Sequence, residues 1–351
     1  MKKLMVCLFA FLLLLGLAAF AETEEKEIHQ SGDYSYIILA DGKAEITLYS
    51  GYDDTLEIPS ELDGLSVTSI GDRAFRGCNR LTDVTIPGSV TSIGDSAFDS
   101  CYRLTDVTIP DGVTSIGDYA FAFCDRLTSV TIPDSVTSIG INPFTACENL
   151  KVINVSPDHP YLSTIDGVLF SKPDRRLICC PWRFGGTEYA IQQGTQIIGN
   201  YAFFYCDSLT TIDIPDSVTT IGEHAFSECI SLTAVTIPGS VTTIGDHAFE
   251  SCDKLTAVTI RDGVTSIGDY AFGWCSGLTA VTIPGSVTCI GDCAFGWCSG
   301  LTAVTIPGSV TSIGKYAFIR CADSLTVTVG QGSYAMQYCT DNGLNYICSD
   351  S

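Results

Sequence analysis

Cys252-Asp253-Lys254-Leu255-Thr256-Ala257-Val258-Thr259-Ile260, followed by Gly263-Val264-Thr265-Ser266-Ile267-Gly268-Asp269-Tyr270-Ala271-Phe272, is one copy of a unit that recurs at least ten times. The register can be followed on one residue type. Cys78, Cys101, Cys124 and Cys147 are 23 residues apart, and so are Cys206, Cys229, Cys252, Cys275, Cys298 and Cys321. A fixed period of this length marks a solenoid, in which each repeat buries its apolar face only against its neighbours. Such a chain offers a long surface rather than a pocket. It points to binding and leaves the ligand unnamed.

Each unit reads as two short extended segments and a turn. In Leu232-Thr233-Ala234-Val235-Thr236-Ile237 the apolar residues alternate with Thr236, the period of a half-buried strand. Pro238 lacks a donor and ends it. Val241 and Ile244 form a second apolar pair, leading to Gly245, where a tight corner is expected. Phe249 and Cys252 are three apart and share a face if they lie on one helical or 3₁₀ turn, with Asp246 as its N-cap. The Gly-Asp pair recurs at Gly71-Asp72, Gly94-Asp95, Gly117-Asp118, Gly268-Asp269 and Gly291-Asp292. One carboxylate per coil falls short of the six to eight oxygens that calcium takes, so capping is the preferred reading.

The motif Leu-x-x-Val-x-Ile-Pro-x-x-Val-x-x-Ile-Gly-x-x-Ala-Phe-x-x-Cys resembles the BspA-like branch of the leucine-rich-repeat family, over about Leu56 to Val329. The resemblance implies a right-handed solenoid, mostly β, with a parallel sheet on one face and short turns, 3₁₀ or helical segments opposite. It also implies a secreted or surface protein used in adhesion to host or microbial macromolecules. Nothing in the spacing itself speaks of adhesion.

The ends depart from the repeat. Lys2 and Lys3, the apolar run Leu4 to Phe20 and Ala19-Phe20-Ala21 read as a signal peptide over 1–21, removed on secretion. No integral membrane segment is then expected in the mature chain. Residues 22–55 are expected to form an N-terminal hairpin cap, with strands at Tyr34 to Leu39 and Ala44 to Tyr49 about Asp41-Gly42. The solenoid spans 56–329. In it Ser324 takes the usual Leu position, while Val327 and Val329 keep register. Residues 330–351 are expected to form a C-terminal cap, with a short helix from Ser333 to Asn342 stopped by Gly343 and a strand from Leu344 to Cys348. An insertion at about 156–185 reads as a hairpin about Asp166-Gly167. Insertions in repeats map to one face, as tolerated excursions or as functional elements.

Composition narrows the partner. The formal net charge is −22, and removing Lys2 and Lys3 takes it to about −24. Counterion release on nucleic acid or an anionic membrane needs Lys and Arg, so neither suits this chain. Sixteen cysteines remain after cleavage. Equivalent side chains in stacked coils run parallel, whereas a disulfide needs them to converge, so a ladder of buried thiols is expected.

No catalytic constellation is legible. There is no Gly-x-Ser-x-Gly, phosphate loop or dinucleotide fingerprint. His224 and His247 share one repeat position, but two histidines need further ligands to hold a metal. No cofactor or metal centre is therefore expected, and no enzyme activity. Arg80 and Arg103 are read as pairing locally with Asp83 and Asp106. Outward Thr236, Thr259, Thr282 and Thr305 fit a solvated strand face. Aromatics gather near the turn, at Tyr119, Phe123, Tyr201, Tyr205, Tyr270, Trp274, Trp297 and Tyr316. Tyr270, Trp274 and Trp297 are the candidate partner-binding residues, because interfaces favour aromatic anchors. The competing reading is a stack of indoles that shields itself. The function expected is secreted or cell-surface binding of a protein or other surface macromolecule. A self-associating structural or coat protein and a secreted effector are the alternatives.

Overall fold

A computed structural model describes residues 27–349, so the expected signal peptide lies outside the described residues. The chain winds as a parallel β-solenoid. Each coil contributes one strand to each of two columns. The longer strands, such as Ala234–Ile237 and Ala257–Ile260, pair in parallel with Val235 opposite Val258. The shorter ones, such as Thr243–Ile244 and Ser266–Ile267, pair Ile244 with Ile267. Identical residues therefore stack on identical residues, one coil apart.

The inward set is the one the period marks. Leu232, Val235, Ile237, Val241, Ile244, Ala248, Phe249 and Cys252 are all buried. The phenylalanines form two ring columns, Phe75 to Phe144 and Phe203 to Phe318, with Phe75 on Phe98 at 5.0 Å and Phe295 on Phe318 at 5.6 Å. Tyr49 meets the outer end of the first and Tyr338 that of the second, at 5.4 and 6.3 Å.

The row cysteines have a second bond beside their packing. Cys252 donates its S–H to the carbonyl of Phe226, at 3.2 Å, and Cys275 to that of Phe249, at 3.1 Å. The same 26-residue offset holds at Cys101, Cys124 and Cys147 before the insertion and at Cys229, Cys298 and Cys321 after it. Burial pushes these thiols up: Cys147 reaches about 12, and Cys124, Cys229 and Cys275 also rise well above the ordinary value.

The Ala-Phe-x-x-Cys segment is a run of turns, one of the forms expected there, and Tyr334–Asp341 is the one helix among the described residues. Four local readings are corrected. Asp246 consequently caps nothing in its own coil. Its Oδ1 accepts from the backbone N–H of Asp269 at 2.8 Å, and Asp72 serves Asp95 in the same way. The Asp row is a bridge between coils. The preceding glycine is required by that stacking, not by a corner. A Cβ on Gly94 would lie 2.6 Å from Asp72 Oδ1 and 2.7 Å from its backbone N. Arg80 reaches Asp54 at 3.2 Å, not Asp83, because the coil before it is nearer than its own strand. Leu325, not Ser324, fills the Leu slot of the last full coil, so the chain shifts by one residue to keep an apolar group inside.

At the N-terminal end Tyr34–Ile38 and Ala44–Tyr49 form a hairpin, extended by Ile28–Ser31. Ala44–Tyr49 then pairs in parallel with Leu65–Ile70 and joins the short-strand column. At the other end Ser333 caps the helix by accepting from Met336, and Asn345–Ser349 adds to Thr326–Gly330. The insertion folds as three antiparallel strands, Leu162–Ile165, Val168–Ser171 and Arg176–Cys179, the last of which pairs with Ile197–Ile198. His159 anchors it: Nδ1 accepts from the Tyr161 and Leu162 amides, leaving Nε2 to donate to Pro133 O. Leu169, Ile178 and Cys179 face the N-terminal core, while Val168, Phe170 and Leu177 face the C-terminal one. The insertion is a septum between two stacks.

Candidate functional site

The turn flank owes its form to two left-handed residues per coil. The first follows the Asp row, as in Tyr201, His224, His247 and Tyr270, with φ between 51° and 58°. The second lies four residues on, as in Tyr205, Trp274 and Trp297. Left-handed non-glycine residues cost roughly 1–3 kcal/mol each. The neighbouring coil offsets that cost, since Tyr270 N–H donates to Asp292 O and Trp274 N–H to Gly296 O, both at 2.8 Å. The conformation turns these side chains outward, where the 23-residue register lines them up.

They stack. Tyr201 lies on His224 at 4.6 Å, His224 on His247 at 4.5 Å, and His247 on Tyr270 at 4.9 Å. Tyr270 continues to Trp274 at 5.7 Å, and Trp274 lies on Trp297 at 4.5 Å with 4° between the planes. The three residues expected from sequence are thus brought together, with Tyr270 and Trp297 6.4 Å apart. Trp274 is the most open of them, at 38% exposure. Trp182 on Tyr205, at 4.6 Å, starts a second short stack, and Tyr119 meets Tyr201 edge-on across the septum.

Parallel stacking decides what the column can do. The rings use their faces on one another and present edges, with the indole N–H and phenol O–H groups at the rim. Edges do not provide the flat platform on which a sugar ring lies. They suit the mixed apolar and polar contacts of a protein surface.

The histidines were legible only as row neighbours. Their place in the column, and Glu250 beside them, come from the structure. Glu250 Oε2 is 2.9 Å from His247 Nδ1 and 3.9 Å from His224 Nδ1. Burial, and then the neighbouring His247, lowers the His224 pKa to about 4, so its ring is neutral at pH 7. The signal for the column was present in sequence: every member sits one or five residues after the Asp row.

The other rows have internal work. Thr233 and Thr256 Oγ1 each donate to the threonine carbonyl one coil back, both at 3.1 Å. Thr236, Thr259, Thr282 and Thr305 are exposed on the long-strand face. No helix among the described residues is long and apolar enough to cross a membrane.

A family model described as BspA type leucine rich repeat region matches residues 55–173 and 195–326, in six copies. No match was found among curated proteins. Among solved structures, a leucine rich cell surface protein from Faecalibacterium prausnitzii is 27% identical, with a TM-score of 0.56, over 93% of this chain and 98% of that one. A leucine-rich repeat protein from Eubacterium ventriosum is 26% identical, with a TM-score of 0.63, over 83% and 93%. The pneumococcal vaccine antigen PcpA, at 17% identity and a TM-score of 0.56 over 93% and 99%, shares the fold.

Proposed function

The chain belongs to the BspA-type leucine-rich-repeat family, and from that membership we propose that it is a secreted or cell-surface protein that binds another protein without catalysis. Adhesion to host or microbial surface proteins is the specific form of the reading. The observation that carries it is the aromatic column, in which rings from successive coils hold one continuous edge-presenting ridge. The description of one relative as a cell surface protein supports the location.

The test is capture by the purified protein from host matrix and microbial surface fractions, followed by titration of the captured partner. The ridge reading expects saturable binding that the paired change Trp274→Ser with Trp297→Ser weakens. Unchanged affinity in the folded double variant moves the site to the threonine face or the insertion.

One observation favours a second reading, self-association. Asn345–Ser349 is exposed at every residue and carries Tyr346 and Ile347 outward. A strand edge of this kind templates pairing with another chain. Sedimentation over a wide concentration range decides between the two, since a chain that stays monomeric rejects self-association.

A further inference from the structure

We propose that His224, His247 and Glu250 bind a transition-metal ion of the zinc class. The proposal stands on their geometry and is independent of the protein-binding reading. The three residues offer one ligand atom each, all within 4.8 Å of one another. Both imidazole Nδ1 atoms face the same carboxylate oxygen. His247 and Glu250 are three residues apart on one turn, and His224 is supplied by the coil before. The backbone holds both histidines in place: His224 N–H donates to Asp246 O at 3.0 Å and His247 N–H to Asp269 O at 2.7 Å.

A hydrogen bond accounts for only part of this arrangement. His247 Nδ1 has Glu250 at 2.9 Å. His224 Nδ1 is buried and has no hydrogen-bond partner among the described residues. A bare imidazole nitrogen aimed at a carboxylate already engaged by a neighbour is a vacant ligand. Tyr201 and Tyr270 close the outer faces of the histidine pair, so the rings cannot swing away.

The donor set selects the ion. Two imidazoles and one carboxylate match the three protein ligands of an open zinc site, whose fourth position is left to water or to a group from a partner. Calcium and magnesium want more oxygens than one carboxylate supplies. Two donors on one tetrahedral zinc lie about 3.3 Å apart, so binding draws His224 Nδ1 in from 3.9 Å toward Glu250 Oε2 and lets His247 Nδ1 out slightly from 2.9 Å. The rings, parallel to within 9°, must tilt toward each other to do so. The net charge of −22 favours a cation at this surface.

The test uses the purified protein in a Cys348→Ser background, because that thiol is exposed. After treatment with chelator and reductant it is titrated with zinc chloride against a chromophoric competitor, and with cobalt chloride by visible absorption. One ion per chain is expected, with tetrahedral cobalt bands and no thiolate charge-transfer band. His247→Ala should weaken binding by at least about 10-fold. Glu250→Gln, which keeps the side-chain volume, should do the same and carries the test if the alanine variant does not fold. Unchanged affinity in either folded variant overturns the proposal, and so does a thiolate band, which would place the metal on cysteines.

Discussion

The coils before the septum and those after it share one interior and differ on one flank. Phe98, Cys101 and Leu104 occupy the same slots as Phe249, Cys252 and Leu255, all fully buried. At the left-handed positions the first group carries Arg73, Gly77, Ser96, Ser100 and Ala146, with aromatics in one coil at Tyr119 and Phe123. The second carries a ring at His224, His247, Tyr270, Trp274 and Trp297 in successive coils, beside Glu228, Ser251 and Cys293. An inward side chain meets its own copy above and below, so any change of volume is felt by three coils at once. An outward left-handed residue owes its position to backbone bonds between coils and not to its side chain. That position is free to vary, and the difference between the two groups is concentrated there.

The shared interior gives the largest expected effect, and it strikes both groups alike. Buried thiols keep their protons in the folded chain, while unfolded ones lose them above about pH 9. Unfolded chains then bind fewer protons than folded ones, so stability falls as pH rises from about 9 toward the folded values. Each such thiol contributes about 1.4 kcal/mol per pH unit to that loss. Denaturant midpoints should therefore drop steeply in alkali. Alkylation of native protein at neutral pH should spare Cys101, Cys124, Cys229 and Cys252, whereas denaturation without reductant should expose all four. A flat alkaline profile, or disulfides among these four, removes the thiol ladder.

Phe98→Ala and Phe249→Ala should each cost about 3–5 kcal/mol, since the stacked column cannot close over the cavity. Hydrogen exchange should rise first in the adjacent coils on both sides of the septum. A response confined to one group would mean that the two cores are not equivalent.

Gly94→Ala should destabilise by up to about 3 kcal/mol, because the coil before it must give way to the new methyl. Gly245→Ala should behave likewise, its Cβ falling 2.6 Å from Gly222 O. Gly285→Ala, with nothing within 4 Å, is the control and should stay within about 0.5 kcal/mol.

The flanks should separate the two groups. Trp274→Ser with Trp297→Ser should weaken partner binding by about 2 kcal/mol, with folding verified by circular dichroism. Arg73→Ser with Ser96→Ala, on the other flank, should leave affinity unchanged. Equal losses from both pairs would dissolve the distinction. The smallest effect belongs to the Asp row: Asp95→Ala and Asp246→Ala should each cost about 1 kcal/mol, one bond between coils, in urea unfolding.

The sequence by itself determined the solenoid, its inward residues and its two hairpins. A 23-residue period repeated this often leaves one way to bury Leu, Val, Ile, Phe and Cys together. It also brought Tyr270, Trp274 and Trp297 to notice, through their shared repeat positions. Only the tertiary structure decided what the polar row residues do. Asp246, read as a cap, bridges two coils, and Gly245 is demanded by the coil before it rather than by its own turn. Only the structure, likewise, gathered His224, His247 and Glu250 within reach of one another and turned the aromatic rings face to face. The physical reason is the same throughout. Burial follows from periodicity along one chain, whereas these contacts form between coils, and their direction depends on backbone angles at left-handed residues that no side-chain pattern records.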